Sequence, residues 1–219
     1  DLSFDPDRVP TDADLVVLGN PNNPTGNLDP AEAIVRVIQP GRVVVVDEAF
    51  MGFSPGEPES LAGRGDLPGL VVVRSLTKLW SLPGIRAGYL LGPPALVARL
   101  RETRQPWGVN ALALRALEAC AADPERARER AEEVAARREE LATALAALPG
   151  VRVWPSAANF LLLEVEDGPR VRRALRDRGI AVRRADTFPG LGPDHLRVAV
   201  RSAEENRVLV GVLREALSR

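Results

Sequence analysis

The sequence predicts an α/β fold built on a mostly parallel sheet, and three features carry that expectation. Short β-branched and aliphatic runs at 15–18, 43–46, 70–73 and 87–91 alternate with stretches of helical pattern. Four consecutive valines at 43–46 have no polar interruption, the pattern of a parallel strand buried on both faces. Polar residues with chemical potential stand at the C-terminal ends of these runs, where open α/β sheets hold their ligands.

In order along the chain, residues 1–13 are polar and proline-containing, and the first buried strand is expected at 15–18. Asn20-Pro21-Asn22-Asn23-Pro24-Thr25-Gly26 follows; two Asn-Pro pairs and a glycine within seven residues demand a turn. Asp29 as N-cap and Pro30 at the first helical position open a helix to about residue 39, which Pro40-Gly41 stops. After the valine strand come strands at 70–74 and 87–91, then helices at about 94–104 and from Trp107–Asn110 to about 121. Asp123-Pro124 repeats the Asp-Pro start for a helix reaching about residue 148, whose dense alternating charge reads as a solvated face. Pro149-Gly150 ends it. Strands at 151–154, 159–165, 180–183 and 195–200 and a helix at 169–178 follow. The last helix, 203–217, has Ser202 and Glu205 spaced for a capping box. The composition shift near Pro149 divides the chain into 1–148, part of a large domain ending in a long connecting helix, and 149–219, a small α+β domain.

The totals exclude several classes. Twenty-nine Lys plus Arg against thirty Asp plus Glu leave no basic footprint for nucleic acid or membrane. The apolar runs are strand-sized, too short to span a bilayer. One cysteine, Cys120, excludes an internal disulfide, and its alanine-rich helical setting predicts a buried thiol. One histidine and one cysteine argue against a zinc site. With no signal segment read at the start, a cytoplasmic setting is expected.

The chemistry concentrates at residues 70–92. Lys78, the chain's one lysine, stands at the exit of an apolar strand between the hydroxyls of Ser75 and Thr77 and the guanidinium of Arg86. An amine there can form an imine with an aldehyde, and hydroxyls with an arginine suit a phosphate. A solvated loop lysine beside an unrelated surface arginine fits the same motif taken alone. Asp47 ends the valine run, where an unpaired carboxylate is costly; it serves either a ligand cation or the next turn as a cap.

Three ordered motifs resemble fold-type I pyridoxal-phosphate (PLP) enzymes of the aminotransferase class I/II family: the Asn-Pro turn, Val43-Val44-Val45-Val46-Asp47-Glu48-Ala49-Phe50, and Ser75-Leu76-Thr77-Lys78 with Arg86. The resemblance runs from about residue 14 to the C-terminus. It implies the PLP-dependent transferase fold, with the mostly parallel sheet belonging to the large domain. It also implies an N-terminal portion, bearing a phosphate loop and a ring-stacking aromatic residue, that is not found here. The chain is therefore read as a fragment, with weak cofactor occupancy. By the resemblance Lys78 is the catalytic lysine, Asp47 meets the pyridine nitrogen, and Asn23 meets the phenolic oxygen. Ser75, Thr77 and Arg86 hold the cofactor phosphate. Arg197 clamps a substrate carboxylate, Arg183 (or Arg184) a substrate phosphate, and Asn159-Phe160 and Trp107–Asn110 line the site.

Histidinol-phosphate aminotransferases and the threonine-phosphate decarboxylases of corrinoid (cobalamin) biosynthesis share these motifs. Phe50, where the aminotransferases usually have tyrosine, resembles the decarboxylase branch, as do Phe188-Pro189-Gly190-Leu191 and Val198-Ala199-Val200-Arg201-Ser202. The expected function is a PLP enzyme acting on a phosphorylated amino substrate, threonine-phosphate decarboxylase-like, with a histidinol-phosphate-type aminotransferase as the alternative. The expected partners are that small molecule and, at full length, a second copy in a homodimer, with no nucleic acid and no membrane. A catalytically silent fragment, or half of an assembly completed by another chain, is the reading from a different class.

Overall fold

The computed structural model describes residues 2–218; residues 1 and 219, the outer ends of the two expected domains, lie outside the described residues. The chain forms two compact units. The first holds the residues up to Asn22 together with Leu28–Ala131, and the second holds Asn23–Asn27 and the residues from Glu132 onward. The change of unit thus falls inside the long helix, between residues 131 and 132, whereas composition placed a boundary at 148.

In the first unit, β1 (Leu15–Gly19), β2 (Val43–Asp47), β3 (Leu70–Ser75) and β4 (Gly88–Leu91) form one sheet in that order. The first three are parallel and β4 is antiparallel, so the mostly parallel sheet expected from the sequence is present. In register, Gly19 lies beside Asp47, Asp47 beside Val73, and Ser75 beside Gly88. Gly88 is required there, because a Cβ would meet the Arg74 carbonyl at 2.7 Å.

The valine run corrects the expectation of burial on both faces. Val44 and Val46 are fully buried against Ile34, Val37, Leu61, Leu70 and Val72, whereas Val43 and Val45 are only half-buried and Leu15 and Val17 of β1 are exposed. Period-two alternation sends one set of side chains into this core. The other set faces a side that none of the described residues of this unit covers to the same degree.

Helix α1 (Ala31–Val35) is shorter than expected, and its start differs. Pro30, not Asp29, is the N-cap, and the first helical N–H donates to the Glu59 carboxylate at 2.7 Å. Asp29 is buried and works as a tie: its carboxylate accepts the Phe4 N–H at 2.8 Å. Its backbone is clasped by Asn20, whose side-chain oxygen accepts the Asp29 N–H and whose amide donates to the Asp29 carbonyl, both at 2.9 Å. Asn20 has no exposed surface. The Asn-Pro turn is therefore pinned at its base by one buried side chain.

Helices α2 (Pro94–Glu102), α3 (Ala111–Ala121) and α4 (Pro124–Ala146) follow. Asn110 caps α3 through the Ala113 N–H at 2.8 Å, and Asp123 accepts the Arg126 N–H at 3.0 Å, as its Asp-Pro signature predicts. The charged stripe of α4 is not uniformly solvated. Arg138 is buried and donates to the Ala158 carbonyl at 3.0 Å, and burial lowers its pKa.

In the second unit, β5 (Val151–Val153), β6 (Phe160–Val165), β7 (Arg183–Arg184) and β8 (His195–Ala199) form an antiparallel sheet in the order β5-β6-β8-β7. Helices α5 (Gly168–Asp177) and α6 (Ala203–Leu217) pack on it with the C-terminal turns of α4. Leu161, Leu163, Leu196 and Val198 from the strands meet Leu145, Val171, Leu175 and Leu213, each almost wholly buried. Each such side chain contributes about 1.5–3 kcal/mol of transfer free energy. The Ser202–Glu205 capping box forms as the sequence predicts. The expected strand at 180–183 is reduced to the two residues of β7. Among the described residues no helix is long and apolar enough to cross a membrane.

The Asn20 clasp gives a direct expectation. Asn20→Ala removes two buried hydrogen bonds, to the N–H and to the carbonyl of Asp29, each contributing about 1 kcal/mol. The variant should lose about 2 kcal/mol or more in urea denaturation, and an unchanged midpoint would mean the clasp contributes nothing.

Candidate functional site

The predicted residues fall into one group in each unit, and each group is coherent within its own unit. In the first, β3 carries Ser75 out of the core and the chain turns at once. The Ser75 and Thr77 hydroxyls share a hydrogen bond of 2.7 Å, and Ser75 Oγ also accepts the Thr77 N–H at 3.2 Å. Lys78 Nζ donates to Thr77 Oγ1 at 3.1 Å and stands 5.4 Å from the centre of the Phe50 ring, a cation–π arrangement. Thr77 is buried, while Ser75 and Lys78 are half-buried. A primary amine beside two hydroxyls is thus fixed at the mouth of a strand, as the sequence predicts.

Asp47 is where the strand register puts it, but it is exposed, not buried. Its Oδ1 accepts the Ala49 N–H at 2.9 Å, so the carboxylate does cap the next turn. Its other oxygen has no partner among the described residues. Alternation and register place Asp47, Val73 and Ser75 on the same, open face of the sheet. Arg86 is not brought onto the hydroxyls. Its side chain is exposed and donates to the Pro83 carbonyl at 3.2 Å, although the backbone beside it is anchored by the Leu76 N–H on the Ala87 carbonyl. Trp107 is 98% exposed and so forms no wall, and Asn110 is engaged as the α3 cap.

In the second unit, Arg183 and Arg197 are direct cross-strand partners of β7 and β8. Arg197 lies 4.6 Å from the Phe160 ring and donates to the Asn23 side-chain oxygen; Arg183 lies 5.2 Å from the Phe188 ring. No carboxylate among the described residues pairs with either guanidinium. Burial first, and then the neighbouring Arg183 charge, lower the pKa of Arg197. Two like charges set opposite each other are unfavourable unless an anion joins them. Asn23 is held in this unit by its own loop, in which the Gly26 carbonyl accepts the Ala157 N–H at 2.8 Å. Gly26 has φ +74°, and a Cβ there would meet Ser156 Oγ at 2.0 Å, so only glycine fits. Asn159 contributes its backbone carbonyl, which accepts the Val200 N–H at 2.9 Å. Arg184 is engaged by Asp186 at 2.6 Å.

Sequence reasoning missed a third group. Glu48, next to Asp47, has no exposed side-chain surface, and its carboxylate accepts the Ser60 hydroxyl and the Leu61 N–H at 2.7 Å and Arg74 at 2.8 Å. Arg74 also pairs with Glu57 at 2.6 Å. Burial opposes the charge on Arg74, but the bonds and charge of Glu57 and then the hydrogen bond to Glu48 outweigh it and raise its pKa. Glu48 stands two residues beyond Val46 and so shares its core face, where a charge needs a partner, but its neighbours in sequence do not say which partner meets it.

Two larger clefts lie elsewhere. A cleft of about 540 Å³ in the first unit is lined by Arg74, Glu57, Trp80, Tyr89 and Cys120, and of the predicted residues only Ser75 reaches its wall. Cys120 is half-buried there, and burial pushes its thiol up. In the second unit a cleft of about 510 Å³ lies between Gly179–Val182 and the start of α6, and neither Arg183 nor Arg197 lines it. The chemistry of the open-face groups, rather than concavity, marks the candidate site.

Comparison with known proteins agrees with that chemistry. The family described as "Aminotransferase class I and II" matches residues 5–213. A histidinol-phosphate aminotransferase of Mycobacterium tuberculosis (strain ATCC 25618 / H37Rv) is 46% identical over 214 residues, 97% of this chain and 58% of its own length. A threonine-phosphate decarboxylase of Salmonella typhimurium is 38% identical over 215 residues, 94% of this chain and 58% of its own. The chain therefore spans little more than half the length of these relatives. Among solved structures, the histidinol-phosphate aminotransferase of Clostridium acetobutylicum superposes with a TM-score of 0.89 at 28% identity, covering 94% of this chain and 65% of that one. The L-threonine-O-3-phosphate decarboxylase of Porphyromonas gingivalis gives 0.84 at 26% identity, covering 96% and 70%. A lysine behind paired hydroxyls, an aspartate at the end of a parallel strand and a match along almost the whole sequence lead to one assignment: the chain belongs to the aminotransferase class I and II family.

Proposed function

We propose that this chain bears the lysine and the substrate arginines of a PLP-dependent enzyme that moves an amino group to or from a phosphorylated amino substrate. The observation that carries the reading is the hydrogen-bonded cluster Ser75–Thr77–Lys78 at the end of β3, built around the chain's one lysine. The donor set fits the cofactor. It offers a primary amine for an aldehyde, two hydroxyls beside a cation for a phosphate, and a carboxylate with one oxygen unpartnered among the described residues for a protonated ring nitrogen. When bound, PLP supplies the aldehyde and an electron-withdrawing ring.

The chain's own residues then divide the work. Lys78 Nζ would hold the cofactor through its aldehyde carbon and, as a free amine, would take and return the proton at the substrate α-carbon. Asp47 would pair with the protonated ring nitrogen. Ser75 and Thr77 would hold the phosphate ester, with Arg86 assigned to the same group. The family resemblance assigns Asn23 to the ring's phenolic oxygen. Arg197 receives a carboxylate and Arg183 the substrate phosphate, an assignment that agrees with two adjacent guanidiniums lacking an acidic partner.

Phe50 and the two neighbouring motifs favoured decarboxylation of threonine phosphate. The 46% and 38% relatives reverse that order and support amino transfer of the histidinol-phosphate type as the better reading. Histidinol phosphate has no carboxylate, so on this reading Arg197 serves the carboxylate of the amino-acid or 2-oxo-acid partner.

Two outcomes are expected. Borohydride reduction of the protein with PLP, followed by peptide mapping, should place a pyridoxyl group on Lys78 and none on Lys78→Ala; label elsewhere would remove the lysine from its role. The protein should transfer the amino group of histidinol phosphate to a 2-oxo acid, with Arg197→Ala lowering kcat/KM for that acid by roughly 1.5–3 kcal/mol, about tenfold to a hundredfold. Carbon dioxide release from phosphothreonine without amino transfer would restore the decarboxylase reading.

A further inference from the structure

We infer that Glu48, Arg74 and Glu57 form a positioning clamp that fixes Asp47 relative to the Ser75–Lys78 turn from the opposite face of the sheet; the link to PLP rests on the function proposed above. Glu48 follows Asp47, and Arg74 precedes Ser75. Alternation therefore sends Glu48 and Arg74 to the core face and Asp47 and Ser75 to the open face. The Glu48–Arg74 pair of 2.8 Å joins the ends of β2 and β3 at the level where the open-face residues emerge. The Glu48 N–H on the Val73 carbonyl, 2.9 Å, extends the ladder one step past β2. Ser60, Leu61 and Glu57 tie the same two side chains to the loop between the strands.

The energetics favour a positioning role over a stabilising one. A buried ion pair contributes little net stability compared with well-packed apolar groups of the same volume, because desolvation offsets the attraction. What it does impose is geometry: a slip of one residue between β2 and β3 moves Asp47 by about 3.3 Å against the lysine turn and separates the pair. Reactive groups need positions held to about 0.5 Å. Arg74, with 14% of its side chain exposed, and Glu48, with none, cannot find substitute partners in water. Glu57, at 36%, closes the outer side of the guanidinium.

Two variants test this in the protein without cofactor and with it. Glu48→Gln keeps the shape and one acceptor but loses the charge, and the double variant Glu48→Met/Arg74→Met replaces the pair by apolar groups. Hydrogen–deuterium exchange of the cofactor-free protein should rise at least fivefold in peptides covering 47–51 and 75–80 for both variants. Peptides of α5 and α6 should not change. With PLP present, the variants should still be labelled at Lys78, need about tenfold more PLP for half-saturation, and show a displaced pH midpoint of the visible band. Unchanged exchange in either variant that folds overturns the clamp, as does faster exchange spread evenly over the chain. Exchange confined to the two peptides with no change in half-saturation or pH midpoint overturns its link to the cofactor. Absence of label on Lys78 in the unaltered protein would instead count against the proposed function, and the cofactor-free exchange would still decide the clamp.

Discussion

Side chains alternate along β2 and β3, and the two strands are locked parallel with Asp47 beside Val73. From that constraint follows the placement of the charges at the C-terminal ends of these two strands. Val46, Glu48, Val72 and Arg74 face the core, where the carboxylate and guanidinium neutralise each other away from water. Asp47 and Ser75 face the open side, where they are available to a ligand. The same alternation explains why a run of four valines has two buried members and two half-buried ones. A charge next to an apolar strand is affordable on the core face only as a pair, and it is useful on the open face only because its neighbour holds the strand still.

The second unit uses a different device. Arg183 and Arg197 oppose each other across β7 and β8, each against a phenylalanine ring, and the Asn23 side chain accepts from Arg197. Aromatic faces hold the guanidinium planes without neutralising them. Two adjacent like charges repel, and a bound anion would relieve that repulsion, which is why the proposed function assigns the substrate's acidic groups to them.

Much of this was legible in the sequence because the signals were local. The Asp123-Pro124 start, the Ser202–Glu205 box and the apolar runs of β1, β2, β3 and β6 each specify their element through nearest neighbours, and these formed. Lys78 with Ser75 and Thr77 was legible for the same reason. Asp29 misled because its partners, Asn20 and Phe4, are distant in sequence and outcompete the helix it was expected to cap. Arg138 and Glu48 were hidden because burial of a charge depends on which long-range partner meets it, here the Ala158 carbonyl and Arg74. Arg86 shows the converse. It follows Lys78 by eight residues, yet its side chain turns back to Pro83, so proximity in sequence did not become a contact.

On the proposed function, the reactive face of the first unit is the one bearing Asp47, Ser75 and Lys78, with the Glu48–Arg74 pair behind it. A crystal structure of the protein with bound PLP tests that most directly. The expected result is density continuous from Lys78 Nζ, the ring nitrogen within hydrogen-bond distance of Asp47, the phosphate on Ser75 and Thr77, and the Glu48–Arg74 pair intact on the other side. A cofactor seated in the cleft lined by Arg74, Glu57 and Cys120, or a ring nitrogen facing any group other than Asp47, would contradict it.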